Sequence, residues 1–73
     1  MSQDREHLDL ARRHMTEGKA RVEAQQQLIG RLEEGGHSTV LAQQLLDSLV
    51  ETLIQMRVHR DYLEARALKL GGT

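Results

Sequence analysis

The sequence predicts an all-α chain, an antiparallel two-helix hairpin of coiled-coil type that dimerises into a four-helix bundle. Apolar residues recur at alternating steps of three and four along two stretches, the spacing that lines one face of a helix. A Gly35-Gly36 pair separates the stretches, and no proline interrupts either one. Phe and Trp are absent and Tyr62 is the sole aromatic, so core volume must come from Leu, Ile, Val, Met and Ala, a palette suited to helix packing rather than to a sheet.

The first seam reads Leu8, Ala11, Met15, Gly18, Val22, Gln25, Ile29, Leu32. Asp4 and Glu6 stand where the positive end of a helix dipole favours acids, so a first helix is expected over about residues 4–34. Gly35-Gly36 supplies the left-handed residue that ends it, and the turn occupies residues 35–38. Ser38 or Thr39 can accept a hydrogen bond from the free amides of a new first turn. The second seam follows at once: Ala42, Leu46, Leu49, Leu53, Met56, Arg60, Leu63, Ala67, Leu70. A second helix is expected over about residues 39–69, with Gly71, Gly72 and Thr73 fraying.

So short a connection forces the helices antiparallel, and the seams then match residues whose numbers sum to about 71. Ile29 faces Ala42, Gln25 faces Leu46, Val22 faces Leu49 and Met15 faces Met56. On one flank the sum is about 73, which pairs Leu28 with Leu45, Arg21 with Thr52 and His14 with His59. At about 1.5 Å per residue each helix is on the order of 45 Å long, so the hairpin is a rod.

A chain of 73 residues without cysteine holds one domain, residues 1–73, and is too small for a generous core of its own. The second helix nevertheless carries Val40, Leu41, Ala42, Leu45, Leu46, Leu49, Val50, Leu53, Ile54 and Met56, an apolar face wider than one partner helix can cover. Self-association is the simplest answer, with Leu28, Leu41, Leu45, Val50 and Ile54 as the expected oligomer interface. Charge is divided along the rod as well. Residues 1–21 and 57–73, the open end, hold nine Lys and Arg against six acids, a balance of +3, while residues 22–56 hold Arg31 against five acids, a balance of -4. Subunits laid antiparallel set each positive end beside a negative one.

The net charge of -1 argues against a general polyanion binder, which needs a surplus of Lys and Arg. No stretch approaches the roughly 18 to 20 apolar residues of a membrane span, and the N-terminus leads into no apolar signal segment. A cytoplasmic protein is the expectation, with which the lack of cysteine agrees. No Ser or Cys nucleophile context, glycine-rich phosphate loop or deep pocket is expected, so the chain reads as non-enzymatic and without a cofactor.

Arg12, Arg13, His14, Arg57, His59 and Arg60, joined by Lys19, form the candidate contact surface at the open end, for an acidic protein, a phosphate or a nucleic acid backbone. The competing reading is a solvated basic end docked on the acidic half of a dimer mate. His14 and His59, brought together in a two-fold dimer, offer four imidazoles to a zinc-like ion, against which stands the lack of any Cys or HxxxH pair. Gly18 costs on the order of 1 kcal/mol in mid-helix, which points to a bulky neighbour such as Leu53, Met56 or Arg60. Arg60 on the seam is expected to snorkel to the open end or pair with an acid such as Glu17, and Gln25 to fix register.

The segments Arg13-His14-Met15-Thr16-Glu17-Gly18, Leu32-Glu33-Glu34-Gly35-Gly36-His37-Ser38-Thr39 and His59-Arg60-Asp61-Tyr62-Leu63 resemble a set of short uncharacterised bacterial helical-hairpin proteins that share R-H-x-x-x-G, G-H-x-T and H-R-x-x-L elements. That resemblance implies the hairpin and carries no activity. In architecture alone the chain is similar to the plasmid copy-control hairpin, which dimerises into a four-helix bundle and binds paired RNA loops. The leading expectation is a homodimeric interaction or regulatory module; binding of structured RNA or another polyanion by the basic end is the second, and a metal or small-ligand bundle the third.

Overall fold

The computed structural model describes residues 2–71, the side chains of Ser2, Asp4 and Leu70 apart. It is two helices, α1 (Ser2–Glu34) and α2 (Val40–Gly71), packed against each other as an antiparallel hairpin 58 Å long and about 15 Å across. The second helix is continuous through Gly71, with no proline to break it. The expectation for Gly72 and Thr73 lies outside the described residues.

The turn is built by its glycines. Gly36 takes φ +71°, the left-handed conformation that costs an L-residue steric energy and costs glycine none. The chain thereby doubles back so that the His37 amide donates to the Leu32 carbonyl at 2.8 Å and the Gly36 amide to the Glu33 carbonyl at 3.1 Å. These paired bonds are the Schellman closure of a helix C-terminus, and they satisfy carbonyls the helix would leave open. At the start of α2 the Ser38 hydroxyl accepts from the Val40 amide at 3.4 Å, and the Gln43 amide bonds the Thr39 carbonyl at 2.8 Å. Of the two expected caps, Ser38 is the one used.

Burial follows the two seams. On α1, Leu8, Ala11, Met15, Gly18, Gln25 and Ile29 are buried, with Val22 and Leu32 half-buried. On α2, Leu63 is buried, and Ala42, Leu46, Leu49, Leu53, Met56, Arg60 and Ala67 are half-buried. Leu8, Ala11 and Leu63 form a cluster against which Ala67 packs, so the expected sum of 71 holds at Leu8 and Leu63. It also holds at Gly18 and Leu53, where a Cβ on Gly18 would lie 3.0 Å from Leu53 Cδ1 and 3.4 Å from Met56 Sδ. Gly18 is therefore a close-approach glycine, filled by its neighbours. The seam is one layer deep, and no described side chain is fully buried.

Candidate functional site

Two flanks border the seam, and the heptad geometry sorts the candidate residues between them. At about 100° per residue, Leu41, Leu45 and His59 fall to one side of the α2 seam, and Val50, Ile54 and Arg57 fall to the other.

On the first flank His14 and His59 line one concavity together with His7, Leu10 and Ala11. The structure thus sets the two histidines at one layer, as the sum of 73 requires. His7 was missed, although it stands seven residues before His14 on the same helix stripe, a signal the heptad already contained. Among the described residues, no group of three or more His, Cys, Asp or Glu side chains is placed to hold a metal ion. Further toward the turn this flank exposes Leu28, Leu41 and Leu45, with Leu41 79% exposed.

The second flank carries a hollow lined by Met15, Lys19, Val50, Leu53, Ile54, Arg57 and Arg60, and beside it a second lined by Leu46, Asp47, Val50, Glu51 and Ile54. Ile54 is 51% exposed and Val50 is exposed too. The first hollow has cations over an apolar floor; the second has acids over one. Leu53, which lines the first hollow, is also the side chain that lies against Gly18 across the seam.

Arg60 has the acidic partner expected of it, though not the one named. It pairs with residues of its own helix: Asp61 Oδ1 accepts from Nη2 at 2.8 Å and from Nε at 3.1 Å, and Glu64 Oε1 lies 4.0 Å from Nε. Glu17 is not its partner, because Glu17 projects from the histidine flank of α1 while Arg60 leans to the opposite one. The hydrogen bond that Arg60 donates to Asp61 raises the Arg60 pKa above its ordinary value, desolvation opposes this, and the charges of Asp61 and Glu64 add to the rise, so the group stays cationic at every working pH. Arg12 is likewise engaged, Nε and Nη2 each lying 3.4 Å from Glu64 Oε1.

The six-residue basic surface is consequently not one surface. His14 and His59 share a hollow on the first flank, Arg57 and Arg60 share one on the second, Arg12 is tied to Glu64, and Arg13 projects from the back of α1. Among the described residues no helix is long and apolar enough to cross a membrane. No protein-family model, curated protein or solved structure matches the chain.

Proposed function

We propose that this chain is a cytoplasmic, non-enzymatic interaction module that works as a homodimeric four-helix bundle. One observation carries the reading: α2 leaves Leu41, Leu45, Val50, Ile54 and Val58 exposed along a helix whose opposite face is already spent on α1. Large aliphatic side chains exposed on both flanks of one helix in so small a domain are the kind of apolar surface that chains cover by association. The rod shape enlarges the uncovered area. The 8.3 kDa chain exposes 5862 Å², whereas a compact globule of that mass exposes roughly 4,600 Å².

The polyanion reading has less support. Two of its cations, Arg12 and Arg60, are neutralised by Asp61 and Glu64, and no aromatic is interleaved with them for base stacking.

Sedimentation at micromolar concentration tests the proposal. The unmodified chain should run as a dimer, and Leu45→Glu combined with Ile54→Glu should run as a monomer. A folded monomer of the unmodified chain overturns it.

A further inference from the structure

We infer that the dimer forms through one stripe of α2, the flank bearing Val50 and Ile54, packed antiparallel on the same stripe of a second copy. This rests on the proposed assembly and specifies its surface. Asp47, Val50, Ile54 and Arg57 follow one another at steps of three, four and three, so they lie in a single line beside the buried seam. The order along that line is acid, aliphatic, aliphatic, base. An isologous two-fold contact requires residue i to meet j while j meets i. With the axis midway between Val50 and Ile54, Val50 meets Ile54 of the second copy and Asp47 meets its Arg57, each contact occurring twice. A parallel pairing of the same stripe would set Asp47 against Asp47 and Arg57 against Arg57.

The local electrostatics of the lone hairpin call for this partner. Asp47 and Glu51 stand one helical turn apart as like charges, and Lys19 and Arg57 line one hollow as like charges. Among the described residues none of the four has an ion pair within its own chain. An antiparallel mate brings a base to the acid end and an acid to the base end. The two hollows share Val50 and Ile54, so the aliphatic pair is the centre of the patch and the charges are its rim.

Position and size agree. The seam register places residues 50 and 54 opposite residues 21 and 17, near the midpoint of α1, so an axis there overlaps the two rods along their full length. A face 58 Å by 15 Å projects roughly 900 Å², close to the ~800 Å² per partner of a stable interface. The other flank offers no such match, since its stripe Leu41, Leu45, Ser48, Thr52, Gln55, His59 contains no acid to answer a base.

Charge exchange tests the inference. Asp47→Arg and Arg57→Asp are surface changes, and circular dichroism confirms that each variant is folded. By sedimentation at low salt each single variant should weaken dimerisation about tenfold or more, and the double variant should return to within about threefold of the unmodified chain. Asp47→Asn and Arg57→Gln, which remove charge without reversing it, should weaken it less. A folded single variant that dimerises as tightly as the unmodified chain, or a double variant that does not recover, overturns this surface while leaving the assembly reading in place. An unmodified chain that is monomeric overturns both.

Discussion

The Gln25 side-chain amide donates to the Ala42 carbonyl at 2.9 Å, the one hydrogen bond between α1 and α2 that a buried polar side chain makes among the described residues. Gln25 is 8% exposed and occupies a seam position otherwise suited to Leu. The Ala42 carbonyl points along its helix toward Leu46, the residue Gln25 faces, so the contact ties one residue to one register.

Replacing Gln25 with Leu should separate stability from register. The Ala42 carbonyl keeps its own helical bond, so no buried group is orphaned, and the unfolding free energy should stay level or rise by about 1 kcal/mol. Urea denaturation measures this. A loss of more than about 2 kcal/mol would show that the bond contributes net stability rather than register alone.

Gly18 and Gly30 make a matched pair in one helix. Nothing lies within 4 Å of a Cβ placed on Gly30, so Gly30→Ala should gain about 0.5–1 kcal/mol by restricting the unfolded chain. At Gly18 the same gain is offset by the 3.0 Å approach to Leu53, leaving Gly18→Ala within about 0.5 kcal/mol of neutral. Gly18→Leu should lose about 1–3 kcal/mol by overpacking. Equal gains from alanine at both sites would show that the Leu53 contact yields freely.

Gly36→Ala should cost about 1–2 kcal/mol, because φ +71° places Cβ against the following carbonyl. Equilibrium denaturation reads the loss. An unchanged midpoint would mean that the turn re-forms without its left-handed residue.

Gln25, Gly18 and Gly36 were legible in the sequence for a reason, whereas Gly30 carries no signal of its own there. The heptad step settles which side chains face inward at Leu8, Met15, Ile29, Leu46 and Leu63, and a double glycine between two seams announces the left-handed closure. The partner of Arg60 was not legible, since a long side chain near a rod end chooses among several carboxylates at little energetic difference, and only coordinates show Asp61 and Glu64 winning over Glu17. The division of the basic residues between two flanks was implicit in the register but hidden by counting charge along the rod rather than around it. The stripe from Asp47 to Arg57 is likewise invisible to apolar width alone, since it depends on the order of the charges bordering the aliphatic pair.

Removing the acids that cover the basic end should expose it. Asp61→Asn with Glu64→Gln releases Arg12 and Arg60 together, with a small loss in the unfolding midpoint because Arg12 and Asp61 are solvent-exposed and only Arg60 is half-buried. On heparin the unmodified chain should elute at low salt and the double variant distinctly later. Strong retention of both, with the same salt dependence, would return polyanion binding to the leading position.

Orientation is decided by a distance. With the two-fold axis opposite residue 52 of α2, Glu34 lies fifteen residues along α1 from residue 19, the level of the axis, or about 22 Å at 1.5 Å per residue. Two copies laid antiparallel hold their Glu34 positions about 45 Å apart, with the glycine turns at opposite ends. The chain has no cysteine, so Glu34→Cys gives a single labelling site at an exposed position. Electron–electron dipolar spectroscopy of the spin-labelled dimer should give one long distance near that value. A short distance would place the turns side by side and the like-charged halves together. Apolar packing would then have outweighed the charge order of the Val50 and Ile54 stripe, and the antiparallel pairing would be overturned.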